Sequence, residues 1–262
     1  MTADRLAPLS PAGETVNATV EGQPLLCGVG LHDSSAAIIP YLASFRTPFI
    51  LLSSGTWCIS LNPFNHQPLT LRELAADCLC YLAYDGNPVR ASRLFAGYEH
   101  EQQAWRIASH FGIEDDFYRD IPFNPQVIRN LKNTDTEQAV YFSGDPMRQS
   151  GFAQRDLQAF TDAVTAYHRL VLDLVDQQVR ALGLVISKPV PNLYVDGGFG
   201  TNPVYMNLLA AALPGMNVAA ASLAQASAIG AALAIHPSWN RQPMPEHLIE
   251  LKPYRVTESI AL

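Results

Sequence analysis

The chain has 262 residues, 48% apolar and 16% charged, a globular composition long enough for a large core. A net charge of −7 argues against a general nucleic-acid binder, which needs a basic face to displace counterions, and against docking on anionic lipid. The N-terminus carries no apolar signal-type run and no segment is apolar for long enough to span a bilayer, so a cytoplasmic protein is expected.

Residues 1–24 are rich in Pro and Gly and read as an extended connector. Residues 25–30 read as a buried strand ending in Gly28-Val29-Gly30, followed by His32-Asp33-Ser34-Ser35 at the start of a helix. Residues 48–54 and 57–61 read as two strands of a β-hairpin with Ser53-Ser54-Gly55-Thr56 at its tip. Residues 93–111 read as a helix with Trp105, Ala108 and Phe111 on one face, and 121–151 as loops with short strands. Residues 156–182 carry an apolar stripe through Phe160, Val164, Tyr167, Val171, Leu174 and Leu182, which predicts a long helix with Gly183 as its C-cap. A buried strand over 190–195, a glycine-rich turn over 196–202 and a helix opening at Pro203 follow. Residues 218–221 predict a short strand, 224–235 an Ala-rich helix fit to pack on a sheet, and residues from 237 a polar tail. The strand–turn–helix units near both ends predict an α/β domain over 25–236, flanked by a 1–24 connector and a 237–262 tail.

Cys27, Cys58, Cys78 and Cys80 show no disulfide-scaffold spacing and are expected as free, mostly buried thiols. No metal site is predicted: Cys78-Leu79-Cys80 has no second pair, and His100, between Glu99 and Glu101, lacks the second His that a zincin helix requires. Trp57, Trp105 and Trp239 are expected in packing roles.

Three motifs can carry chemistry. Asp33, at the exit of a strand, can accept a proton from a hydroxyl, with His32 placed to hydrogen-bond a polyol; it can equally cap a helix. The Ser53–Trp57 tip offers hydroxyls and successive backbone N–H groups to an anion, or is plain turn chemistry. Asp196-Gly197-Gly198-Phe199-Gly200-Thr201-Asn202-Pro203 lets backbone approach a flat or phosphorylated ligand at a helix N-terminus, or is a structural turn. It lacks the Gly-Lys-Ser/Thr ending of a Walker loop and the spacing of a Rossmann fingerprint.

In this order, the three motifs resemble the C-terminal half of FGGY-family carbohydrate kinases. Gly30-Leu31-His32-Asp33-Ser34-Ser35-Ala36 is similar to the family's element bearing the catalytic base, and Ser53-Ser54-Gly55-Thr56-Trp57 to its phosphate-binding hairpin, most closely in the rhamnulokinase and fuculokinase branch. Asp196–Asn202 resembles its adenosine loop, Ala226–Ala232 the helix that follows, and Arg93–Gly97 a glycine segment linked to a helix. The resemblance implies an actin-like ATPase fold with ribonuclease-H-like domains, ATP and Mg²⁺ as cofactors, and a ketose such as L-rhamnulose, L-fuculose or ribulose as substrate. It implies Asp33 as general base, His32 and Asp33 at the sugar, and Ser54, Gly55, Thr56, Gly97, Gly197, Gly198, Phe199 and Asn202 at ATP. The family's opening Asp-x-Gly-Thr element does not occur, and Gln225 stands where many relatives carry Glu. The expected partner is therefore a missing N-terminal half or a second copy of the chain, and a non-catalytic nucleotide- or sugar-binding module is the second reading.

Overall fold

A computed structural model describes residues 8, 10–135, 150–245 and 247–255. The Leu6–Gly13 stretch of the connector and the expected 121–151 loops therefore lie partly outside the described residues. In chain order the elements are β1 (Thr15–Val20), β2 (Gln23–Gly28), α1 (Asp33–Ala37), α2 (Ile39–Ser44), β3 (Phe49–Ser54), β4 (Cys58–Asn62), α3 (Leu71–Ala75), β5 (Cys78–Leu82) and β6 (Pro88–Leu94). There follow α4 (Ala96–Phe111), α5 (Pro125–Asp135), α6 (Ala163–Gly183), β7 (Asn192–Gly197), α7 (Pro203–Ala212), β8 (Asn217–Ser222), α8 (Ala226–Ala234), α9 (His236–Trp239) and β9 (Glu250–Tyr254). The chain divides into a smaller compact unit (1–46, 81–89, 223–250) and a larger one (47–80, 90–222, 251–262).

The strands β3 to β9 form a seven-stranded sheet in the order β5-β6-β4-β3-β7-β8-β9. β3 is antiparallel to β4 and parallel to β7, and β7 is parallel to β8. Phe49-Ile50-Leu51-Leu52 is an unbroken apolar run because a central strand of such a sheet is buried on both faces. One face is covered by α6, which buries Tyr167, Leu170, Val171 and Leu174 against Ile50, Leu52, Leu193 and Val195. The last carbonyls of α6 and the residues beyond it would be orphaned without partners. Ser92 Oγ donates to Ala181 O at 2.7 Å, and Asn62 and Asn65 both donate to Val185 O at 2.9 and 2.8 Å, which ties the helix end to the sheet.

In the smaller unit β1 and β2 pair antiparallel across a two-residue turn, with positive φ at Glu21 (49°) and Gly22 (79°) as a tight hairpin requires. α1 and α2 pack on α8, and Ile39, Leu233 and Ala234 form a small core there.

Several expectations change. Residues 15–20 form a strand rather than irregular connector, and its partner strand is exposed, not buried: Leu25 retains 47% of its accessible surface. Residues 88–94 are strand, with consecutive residues Val89, Arg90, Ala91 and Ser92 buried on both faces, and the following helix buries Ala104, Ile107 and Ala108 while Trp105 is 58% exposed. Trp57 and Trp239 are also partly exposed, but they pack as expected, on Phe95 and His236 with ring centroids 4.4 and 5.2 Å away. A helix, α5, occupies part of the expected 121–151 loop region. α6 starts only at Ala163, because Asp162 caps it by accepting from Thr165 N at 2.7 Å, and it runs through Gly183 to a C-cap at Leu184. The expected tail contributes α9 and the edge strand β9. All four cysteines are free, as expected, but only Cys58 and Cys78 are buried.

The Ala-rich helix α8 packs on α1 rather than on a sheet, and Gly230 makes this possible. A Cβ there would lie 1.8 Å from Ala36 O. Gly→Ala inside a helix ordinarily stabilises by up to about 1 kcal/mol. Here the clash with backbone outweighs propensity, and Gly230→Ala should destabilise by at least about 2 kcal/mol in urea unfolding. A stabilising outcome would contradict the packing described.

Candidate active site

The site is built where three chain turns meet at one end of the large sheet. The first is the β3–β4 tip, closed by Gly55 N donating to Trp57 O at 2.9 Å. The second is the start of α4, where Tyr98 N donates to Thr56 O at 3.1 Å. Gly97 lets the helix approach, since a Cβ there would stand 1.8 Å from Gly55 O. The third is the turn between β7 and α7, a 3-10 turn over Gly198–Thr201.

Parallel pairing of β3 with β7 sets Ser54 opposite Gly197. Ser54 Oγ donates to Asp196 O at 2.6 Å and accepts from Phe199 N at 3.0 Å. Gly197 has φ 86°, and a Cβ there would lie 1.9 Å from Ser54 O, so only glycine fits. Ser54 and Gly197 thus stand behind the site as supports. Gly55 and Gly198, by contrast, have nothing within 4 Å of an added Cβ.

Between the three turns lies a cavity of about 660 Å³, lined by the predicted Gly55, Thr56, Gly97, Gly198, Phe199 and Asn202. His100, Glu101, Tyr118 and Arg119 also line it and were not anticipated as ligand-facing residues. His100 was available to sequence reasoning, being one helical turn from Gly97 and so on the same face. Tyr118 and Arg119 lie in a short 3-10 turn and carry no signal in the sequence.

Asn202 lines the cavity, and its side chain is also bonded within the protein. Its Oδ1 accepts from Val204 N and Tyr205 N, both at 3.0 Å, and its Nδ2 donates to Tyr167 Oη at 2.6 Å. With Pro203 lacking an N–H, the first donors of α7 are already committed, so this helix end offers its field to an anion but few hydrogen bonds. Tyr167 Oη in turn lies 2.9 Å from His100 Nε2. Burial raises the Tyr167 hydroxyl above its ordinary range, partly offset by the bond from Asn202, so it remains a donor.

His32 and Asp33 lie in the smaller unit. Asp33 is the first residue of α1 and does not cap it: the N-cap is His32, which makes no side-chain capping bond. Asp33 Oδ1 accepts from Ser34 N at 2.6 Å and lies 3.5 Å from His32 Nδ1, while the carboxylate is 81% exposed. Gln225 caps α8 in a left-handed conformation, φ 56°, without a side-chain bond.

Residues 46–243 match the C-terminal domain of the FGGY carbohydrate kinases, and the chain belongs to that family. Its α/β sheet is that of the actin-like ATPase fold. No curated protein matches the chain by sequence. Among solved structures it is similar to a carbohydrate kinase from Novosphingobium aromaticivorans, with 23% identity, a TM-score of 0.67, and 98% of this chain covering 56% of that one. A xylulose kinase from Bifidobacterium adolescentis shows 19% identity and a TM-score of 0.60, with 92% of this chain covering 47% of that one. A Plasmodium falciparum glycerol kinase solved with ADP shows 13% identity and a TM-score of 0.55, over 81% of this chain and 42% of that one. The chain thus spans about half the length of the structures it matches. Among the described residues no helix is long and apolar enough to cross a membrane.

Burial pulls the His100 imidazole down from 6.5 to about 4. Between these values the unfolded chain binds a proton that the folded chain does not, so stability falls as pH drops from 6.5 towards 4. The contribution is on the order of 3 kcal/mol. Burial also lowers His168, which adds loss of the same sign. His100→Gln should therefore lose about 3 kcal/mol less than wild type across this window in denaturant titrations. Parallel stability curves would refute the assignment.

Proposed function

We propose that the chain is the nucleotide-binding half of an ATP-dependent carbohydrate kinase, which transfers the γ-phosphoryl group to a sugar hydroxyl. The observation that carries this reading is the convergence of Gly55, Thr56, Gly97, Gly198 and Phe199 on one cavity large enough for a nucleotide. Open glycines at 55 and 198 admit close backbone approach, Phe199 offers an apolar wall, and Arg119 supplies positive charge. In this reading Gly55 and Thr56 hold phosphates. The ADP in the glycerol kinase structure supports a nucleotide as ligand of this kind of fold.

Among the described residues no group of three or more His, Cys, Asp or Glu could hold a metal ion. The residues present fit Mg²⁺ only as an ion carried by the nucleotide phosphates, where it would neutralise charge during transfer. Asp33 is assigned as general base towards the sugar hydroxyl, with His32 beside it. Support comes from its exposed carboxylate, whose Oδ2 makes no hydrogen bond among the described residues. The sugar is proposed to be a ketose of the L-rhamnulose, L-fuculose or ribulose type, from the Ser-Ser-Gly-Thr-Trp hairpin. An N-terminal half or a second copy of the chain is proposed to complete the sugar site.

Calorimetric titration with MgADP should show saturable binding with Kd between about 1 μM and 1 mM. Gly198→Arg places a long side chain into open cavity and should weaken binding at least tenfold without unfolding the chain. Absence of wild-type binding would overturn the reading. In any preparation that forms ADP on addition of sugar, Asp33→Asn should lower turnover by about 10²- to 10⁴-fold with nucleotide affinity unchanged. Undiminished turnover would remove Asp33 from the role of base.

A further inference from the structure

The polar network beneath the cavity has a definite direction. It begins at the N-terminus of α7, where the N–H groups of Val204 and Tyr205 can only donate, so the Asn202 atom facing them must be its carbonyl oxygen. The Asn202 amide nitrogen therefore faces Tyr167 and donates to its Oη. Tyr167 has a single hydroxyl proton, and its other neighbour is His100 Nε2 at 2.9 Å. If Nε2 carried a proton, that phenolic proton would be buried without an acceptor, at a cost of about 1–3 kcal/mol. The satisfied arrangement has Tyr167 donating to Nε2, which places the imidazole proton on Nδ1.

His100 is 8% exposed and lines the cavity. Its ring is held edge-on by Tyr118, Tyr167 and Phe199, with centroids 4.8, 5.7 and 5.4 Å away. Nδ1 makes no hydrogen bond among the described residues, unlike His168 Nδ1, which bonds Val164 O at 2.8 Å. A neutral donor that is not itself fully buried is thus presented, without a partner among the described residues, on a side chain that lines the cavity.

We infer that His100 is a specificity-determining residue of the nucleotide site, donating through Nδ1–H to an acceptor atom of the bound nucleoside, with Asn202 and Tyr167 as the positioning residues that hold its tautomer. This rests on the nucleotide reading of the cavity and names a contact within it. The acceptor is a ring nitrogen of the base or an oxygen of the ribose, both neutral acceptors that suit a neutral imidazole donor.

The two ring nitrogens can be tested separately. Asn at position 100 can place its amide nitrogen where Nδ1 stands, and Gln can place its amide near Nε2. In MgADP titrations of the full chain, His100→Asn should bind within about threefold of wild type, and His100→Gln about five- to tenfold more weakly. Titration with 3-deaza-, 7-deaza- and 2′-deoxy-ADP should show one analogue losing affinity on wild type but not on His100→Gln, which identifies the acceptor. Nitrogen-15 NMR should show His100 protonated at Nδ1 in wild type, with mixed tautomers in Tyr167→Phe. Wild type failing to bind MgADP would remove the nucleotide reading and this contact together. Wild-type binding with equal affinity in the Gln variant, or a proton found on Nε2, would overturn this inference alone.

Discussion

The hydroxyl of Ser54 bonds Asp196 O and Phe199 N at once, and the mouth of the cavity depends on that bridge. β3 and β7 are separated by well over a hundred residues of chain, and their parallel pairing alone leaves their ends free to splay. The bridge joins the hairpin tip to the glycine turn just where both leave the sheet. Gly197 then becomes obligatory, because any Cβ there would strike the carbonyl of the same serine. The cavity wall is therefore set by sheet register together with one buried hydroxyl, rather than by contacts with a ligand.

Around that bridge the larger unit is organised by α6. Its apolar face supplies most of the core against β3 and β7, and its polar positions do separate work at its two ends. Towards the C-terminus, Gln178 donates to Ser60 and Ser92 donates to Ala181 O, satisfying groups that would otherwise be buried unpaired. Towards the N-terminus, Tyr167 links α4 to the cap of α7 through His100 and Asn202. One helix thus connects the structural core to the floor of the candidate site.

Much of this was legible in the sequence. The Phe49–Leu52 run, the Ser-Gly-Thr tip, and the Asp-Gly-Gly turn before Pro203 carry local signals of strand, turn and helix start, and each element formed near its expected place. The ordered motif set also pointed to the family. Less legible were elements whose reason is tertiary. β1 and β2 bury no face in the described chain and so lack a periodicity to read. Residues 88–94 are buried on both faces and so show no alternation, and the last two, Arg93 and Leu94, read in sequence as the start of the helix that follows. α8 looked fit for a sheet, yet its glycine meets the carbonyl of Ala36 on another helix.

The sequence by itself determined which backbone conformations were permitted at Gly197 and Pro203, where α6 had its apolar face, and that acidic groups outnumber basic ones, because these follow from residue chemistry and short-range spacing. Only the tertiary structure decided which of the candidate residues share a cavity. It set Ser54 and Gly197 behind the wall, turned Asn202 towards Tyr167 and a helix end, and brought in His100, Glu101, Tyr118 and Arg119. Such choices depend on the register of strands distant in sequence and on which buried polar groups can satisfy one another, and neither is encoded in any local stretch of chain.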